Sequence, residues 1–505
     1  SSARTARSST YWCREPAVHV PARRRTDGYS CVDHAVASVI AIVVSRADSA
    51  SEHVGDRLLA VGDWTAHEDT TRSDAAGGGT YYRTDGFELR EFETLHVELS
   101  NPAAAFGGAD GDAASDDVDL LVFVSRHAGD SGPLLTAHVT GNFGPSPYGG
   151  APETLALAAP GAVSRVVDAM AAHAPDGYDV GIECTHHGPT DTAVPSLFAE
   201  LGSDEPQWRD PAGAEAVARA VLDLRGTGPD VRGSDGQRRH LVGFGGGHYA
   251  PRFTRIVRET PWAVGHVGAD WALGELGDPA ANRDVIEAAF ERSRADHAVI
   301  DGDRPALAAV IEDLGHRIVS ETWVRTVGDR PLALVETLEA AVGPVDEGLR
   351  FGSVVPVDSD PDPADCASAV AVRSFPAALL SRAQGIDAEA TRAAVESHAV
   401  AFDTEQAGTR AAGSVAFGAD EATPGYAGLV EALAAVLEHG YDSVRVDDEA
   451  VIARETAFDP ALAADQGVPE GPAFGRLASG EPVDVDGETV TPTDVSTDRE
   501  DRFPV

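Results

Sequence analysis

The 505-residue sequence contains no lysine, so all 39 of its strongly basic side chains are arginine; against them stand 82 Asp and Glu, for a formal charge of −43. This absence removes Walker-type phosphate loops, Schiff-base and pyridoxal-phosphate lysines, kinase-type lysines and lysyl-AMP chemistry. Cysteine is scarce as well. Cys13, Cys31, Cys184 and Cys366 are too few and too scattered for a disulfide scaffold, and a reducing cytosol is the expected setting. No apolar run reaches the length of a membrane span, so no membrane partner is expected. A pI near 4.5 lacks the basic footprint of a DNA-binding protein.

What is present is 43% apolar residues with only 6% aromatics. The apolar residues fall in periodic runs that can build a core, which argues against a disordered polyanion. Dense carboxylates on a folded surface suit a cytosol at very high salt, where self-repulsion is screened.

Residues 1–38 differ from the rest, with six arginines against three acids and two of the four cysteines. They show no leader pattern and are expected to be an extension outside the fold, lying upstream of the true start. From Val39, short apolar runs alternate with helical stretches. Expected strands are Val39–Val44, Leu95–Leu99, Leu120–Val124, Leu134–Val139, Tyr178–Ile182 and His240–Phe244. Expected helices include Ser49–Ala60, Thr154–Ala172, Gly213–Leu224 and Asp284–Ser293. The alternation predicts an α/β domain over residues 39–330, with a mostly parallel sheet and flanking helices. Residues 331–505 carry ten arginines against 33 acids, net −23. They read as an acidic C-terminal region, partly folded, with helices at Pro331–Ala341 and Tyr426–Glu438, a linker at Asp358–Asp365 and a frayed tail from Thr491.

Chemistry concentrates just after strands. Leu120–Val124 runs into Ser125-Arg126-His127, Leu134–Val139 closes on Thr140-Gly141-Asn142, and Tyr178–Ile182 runs into Glu183-Cys184-Thr185-His186-His187-Gly188-Pro189. His240–Phe244 runs into Gly245-Gly246-Gly247-His248-Tyr249. In a parallel sheet these ends share one edge and converge on one crevice. A carboxylate three or four residues before two imidazoles, with Asp191 close behind, is suitable material for zinc. A turn at Thr185 would splay His186 and His187, one binding and the other shuttling a proton. The glycine triplet brings backbone N–H groups close to an anion, with His248 and Tyr249 at a helix start. Arg126 is a natural carboxylate or phosphate clamp. Cys184 reads as a small buried filler, and Ser125 lacks the elbow motif of a serine hydrolase, so activated water is the simpler nucleophile.

In order and spacing, these four segments resemble the archaeal and plant type of D-aminoacyl-tRNA deacylase. Ile42-Val43-Val44-Ser45 with Asp48-Ser49-Ala50-Ser51, and Gly265-His266-Val267, resemble further segments of that family, although Asp270 stands where a basic residue is expected. The resemblance covers about residues 40–325. It implies a monomeric zinc hydrolase with two ions per chain and a core shaped like those of phosphorylases and peptidyl-tRNA hydrolase. Its partner would be the tRNA acceptor end carrying a D-amino acid, and its action a chiral proofreading step. The implied metal candidates are His127, His138, Glu183, His187 and His248; the catalytic candidates are Glu183, His186 and His187. Substrate binding would fall to Ser125, Arg126, Asn142, Thr185, Gly245, Gly246, Gly247 and Tyr249. His186 would accept a proton while the Gly246 and Gly247 amides stabilise an oxyanion. Competing readings are a zinc hydrolase of small D-aminoacyl esters or amides, and a metal-free nucleotide-binding module. In the tail, Gly467-x-Pro469-x-Gly471-Pro472-x-x-Gly475-x-Leu477 resembles a segment of tRNase Z-type metallo-hydrolases and reads equally as a turn before a hairpin.

Overall fold

The computed structural model describes residues 39–107, 118–356, 366 and 368–505. The expected N-terminal extension and the linker at 358–365 lie outside the described residues.

Strand β1 (Val39–Ser45) leads through helix α1 (Ser49–Val61) to β2 (Thr65–Asp69), β3 (Gly79–Thr84) and β4 (Phe87–Phe92). There follow β5 (Val118–Arg126), β6 (Leu134–His138), a short pair β7 (Gly141–Asn142) and β8 (Thr154–Leu155), α2 (Pro160–His173), β9 (Asp179–Ile182) and β10 (Ser196–Gly202). Eight of these strands form one sheet in the order β2-β3-β4-β1-β5-β10-β6-β9. The joins β4–β1, β1–β5, β5–β10 and β6–β9 are parallel, and β2–β3, β3–β4 and β10–β6 are antiparallel. Six of the seven residues of β1 and all seven of β10 are buried, because α1, α2 and the later helix Pro211–Leu222 cover one face of the sheet and the segment with Ala103, Ala105 and Phe106 covers the other. Asp48 starts α1, its carboxylate accepting the N–H groups of Ala50 and Ser51, an N-cap that satisfies otherwise orphaned donors.

After α3 (Glu205–Trp208) and α4 (Pro211–Leu222) comes a second layer: β11 (His240–Gly245), α5 (Pro251–Glu259), β12 (Ala263–Gly268), α6 (Asp270–Leu276), α7 (Arg283–Ser293), β13 (His297–Asp301), α8 (Pro305–Asp313) and β14 (Arg317–Ile318). These four strands make a separate, all-parallel sheet ordered β12-β11-β13-β14. The α/β expectation therefore holds, with two sheets where one was expected.

The main core does not stop at residue 330. Leu334, Val335, Leu338, Val345, Leu349 and Phe351 belong to the same buried cluster as β1, β5 and α2. A second cluster from Phe375 to Ala453 fills the C-terminal region, which contains antiparallel sheets.

Three expectations are corrected. Leu95–Leu99 forms a single 3-10 turn at His96–Glu98; its alternating apolar residues mimic a strand, but no neighbouring strand pairs with it among the described residues. The helix expected from Thr154 begins only at Pro160, whose fixed φ suits a first helical turn, after Thr154–Leu155 has paired with Gly141–Asn142. The tail expected to fray ends instead in a strand, Ser496–Pro504, paired along its whole length with Ala450–Phe458. Its many charges mislead because an edge strand can keep them in water while its backbone is paired. In the glycine-rich tail segment the hairpin reading is found: Val483–Val485 pairs with Glu488–Val490. The turn between them is Asp486-Gly487, both at positive φ, the combination that two-residue hairpins favour.

Candidate active site

The expected convergence occurs, but across two sheets. β5 leads directly to His127, β6 ends on His138, β9 leads directly to Glu183, and β11 leads to His248. Backbone hydrogen bonds Cys184 N→His248 O (2.8 Å) and Thr185 N→Val267 O (2.9 Å) stitch the β9 loop to the second sheet. Gly202 at the end of β10 lets His127 lie close, since a Cβ there would sit 2.6 Å from His127 Cβ.

His138, His186 and His187 form one group. Their ring centroids lie 4.3 to 4.9 Å apart, and Phe198 of β10 stacks on His138 at 5.2 Å. The residues are not splayed: His187 adopts φ +45°, which turns its ring back towards His186. Each imidazole places Nδ1 on a backbone carbonyl, His138 on Val139 O (3.1 Å), His186 on Cys184 O (2.8 Å) and His187 on Gly188 O (2.6 Å). A carbonyl can only accept, so Nδ1 carries the hydrogen and Nε2 turns inward as the ligand atom. The three inward atoms lie within 4.8 Å of one another, and His138 Nε2 is buried without a hydrogen-bond partner. One orphaned imidazole nitrogen beside two further imidazoles of fixed tautomer is a donor set that fits a divalent metal ion.

A second group centres on Glu183. Its Oε1 lies 2.9 Å from His127 Nδ1 and its Oε2 lies 2.8 Å from His248 Nε2 and 3.7 Å from His186 Nε2. His127, Glu183 and His248 again place their ligand atoms within 4.8 Å, as do Cys184, His186 and His248. The first and second groups share no residue.

The electrostatics follow from this packing. Burial disfavours a charge on His127, but contact with the Glu183 and Glu200 carboxylates outweighs it and pushes its pKa up to about 11. Contact with the Cys184 sulfur and with Glu183 raises His248 to about 9. Burial, then the neighbouring His138 and His187, hold His186 well below the usual imidazole range. Burial and then His138 lower His187 to about 3. For His138 burial is again opposed, here by Glu200, and the net direction is upward; the 3.6 Å separation makes this an ionic attraction. For Glu183, the imidazoles of His127 and His248 overcome burial and hold the carboxyl well below its ordinary value.

Beside the histidines opens a cavity of about 310 Å3, lined by His186, His187 and His248 together with Asn142, Thr185, Tyr148, Trp271 and Glu275.

The family model for D-aminoacyl-tRNA deacylase matches residues 114–319. A D-aminoacyl-tRNA deacylase from Halorubrum lacusprofundi is 69% identical over 485 residues, covering 92% of this chain and 97% of that relative. One from Natronomonas pharaonis is 54% identical, covering 92% of this chain and all of the relative. The chain belongs to the D-aminoacyl-tRNA deacylase family. A crystal structure of a conserved protein of unknown function is also similar, with 27% identity and a TM-score of 0.50, over 58% of this chain and 99% of that one.

For this family member the structure gathers His127, His138, Glu183, His186, His187 and His248 into one cluster, with Tyr249 at its rim, its hydroxyl 3.3 Å from His127 Nε2. Of the expected substrate-binding residues, Asn142 and Thr185 line the cavity and also hold the frame. Thr185 is buried, its Oγ1 3.1 Å from His266 Nδ1 and accepting Val267 N–H at 3.0 Å. Asn142 donates to Gly149 O and Ala151 O. Ser125 Oγ donates to Asp48, and the Arg126 guanidinium lies 5.4 Å over the Trp208 ring. Gly245 and Gly246 lie against Asp301, the helix after them starts at Pro251 rather than His248, and the triplet is not on the cavity wall. Asp191 is exposed and bonded to Ser100.

Sequence reasoning missed Glu200, buried on β10 with its carboxylate 3.6 Å from both His127 Nδ1 and His138 Nε2. Its signal was available: a lone carboxylate inside the apolar run Ser196–Gly202. Cys184, read as a filler, is buried and lies 3.5 Å from His248 Nδ1.

Proposed function

We propose that this chain, as a member of its family, hydrolyses the ester joining a D-amino acid to the terminal adenosine of tRNA, using zinc held by the histidine cluster. The observation carrying the metal assignment is the trio His138, His186 and His187, each with Nδ1 engaged by a carbonyl and Nε2 facing the others. His127, Glu183 and His248 supply a second, disjoint set, which supports two ions per chain. Zinc bound there supplies Lewis-acid polarisation of the ester carbonyl and acidification of water at neutral pH.

The chain's own residues do the rest. The carbonyls of Val139, Cys184 and Gly188 fix the tautomers and ring directions. Glu200, between His127 and His138, orients both rings and balances their charge. Tyr249, exposed and beside His127, offers its hydroxyl as a hydrogen-bond donor to the departing 3′-oxygen. Assigning His186 as a ligand replaces its expected part as proton shuttle. Residues 39–330 are assigned as the catalytic domain and 331–505 as an acidic C-terminal region whose first helix, Leu332–Ala341, packs into the catalytic core. No helix among the described residues is long and apolar enough to cross a membrane, and a high-salt cytoplasm is the proposed setting.

The test is incubation with D-tyrosyl-tRNA and L-tyrosyl-tRNA at multimolar KCl, with and without chelator. Release from the D form alone, abolished by chelator, is expected; release from neither tRNA refutes the reading.

A further inference from the structure

Among the described residues, the large hydrophobic side chains left exposed include three aromatics, Tyr148 (73%), Trp271 (44%) and Tyr249 (40%). All three surround the histidine cluster, although aromatics are only 6% of the chain. Exposed aromatic surface gathered at one site marks recognition rather than packing. Tyr249 is accounted for by its contact with His127. Tyr148 and Trp271 line the same 310 Å3 cavity as His186, His187 and His248, and neither side chain has a hydrogen bond or ring partner among the described residues.

Both are held firmly by their backbones. Tyr148 O accepts the N–H of Gly188 at 3.2 Å, next to His187, and Asn142 clamps the same loop through Gly149 and Ala151. Trp271 is the second residue of α6, whose Asp270 N–H is bonded to Gly246 O at 2.9 Å. The rings are thus anchored at fixed positions relative to the histidines while their faces stay open.

Resting on the reading of the chain as a deacylase, the geometry points to Trp271 and Tyr148 as the platform on which the terminal adenine base of the tRNA stacks. If the ester lies at the histidines, the base lies only a ribose away, within the same cavity. The chain carries a charge of −43 and no lysine, so phosphate contacts offer little, and they weaken further as salt rises. Stacking on an aromatic face depends on neither. Glu275 in the same cavity repels phosphate but can accept a hydrogen bond from the adenine amino group.

The experiment compares wild type, Trp271→Ala, Tyr148→Ala and Trp271→Phe on D-tyrosyl-tRNA at multimolar KCl, with AMP as inhibitor and D-tyrosine ethyl ester as a substrate lacking the base. The alanine variants are expected to raise KM roughly 5- to 150-fold with kcat within about twofold, and to lose inhibition by AMP. Trp271→Phe keeps most of both, and ethyl ester hydrolysis is unchanged in every variant. Unchanged KM and AMP inhibition in both alanine variants would overturn the proposal. So would a parallel loss of ethyl ester hydrolysis, which would give the platform to the amino-acid side chain. An inactive wild type would instead sink the deacylase reading itself.

Discussion

Thr185→Val tests whether the residue beside the catalytic pair binds substrate or braces the frame. His266 Nε2 lies 2.9 Å from Ala156 O, which fixes the proton on Nε2, so His266 Nδ1 accepts from the Thr185 hydroxyl. The same oxygen accepts Val267 N–H, and all three residues are buried. Valine keeps the shape and strands one buried donor and one buried acceptor. At about 1–3 kcal/mol for each, the change should destabilise the protein by about 2–6 kcal/mol. Thr185→Ser, which keeps the hydroxyl, should lose far less. Urea unfolding of the three proteins at one KCl concentration measures the difference, and KM for D-aminoacyl-tRNA below the transition measures binding. A valine variant as stable as wild type but with a raised KM would refute the bracing argument and return Thr185 to substrate contact.

On the proposed reading, zinc binding would displace protons from His127 and His248, raised to about 11 and 9. Loading near neutral pH should therefore release protons and tighten as pH rises, which calorimetry in buffers of different ionisation enthalpy would show. For the metal-free protein the sign follows from raised pKa values. Their contribution to stability is complete below about 6.5, the unfolded imidazole value, and is lost as pH climbs through 9 towards 11, visible as a falling melting temperature. His187→Ala should lower bound zinc, read by elemental analysis, and reduce deacylation at least a hundredfold; full zinc and full activity would remove His187 from the centre. Truncation after residue 330 should give an aggregating product, because it strips Leu334, Val335 and Leu338 from the main core at about 1.5–3 kcal/mol each. Truncation after residue 356 should retain more soluble material, compared by size-exclusion chromatography.

The elements that sequence made legible are those whose pattern is local. The apolar runs of β1, β5 and β11 and the start of α1 at Asp48 are set by burial on both faces and by a capping carboxylate. Leu95–Leu99 and the final strand were misjudged because pairing, or its lack, depends on a partner distant in sequence. Within the site, the histidines at strand ends were visible as residues, but their grouping was not. Glu200 went unnoticed because a carboxylate in a buried strand has meaning only beside His127 and His138.

By itself, then, the sequence determined which chemistry is available: without lysine, histidine, carboxylate and arginine remain, and their order along the chain identifies the family. Tertiary structure alone decided which of them act together. It brought two sheets to one place, turned His186 and His187 to the same side, and set Thr185 and Asn142 at the cavity while tying their side chains into its frame. The physical reason is that a metal ligand or a braced hydroxyl is defined by direction and distance within a few ångströms. Those quantities are fixed by backbone carbonyls and packed neighbours far away in sequence, to which local pattern carries no reference.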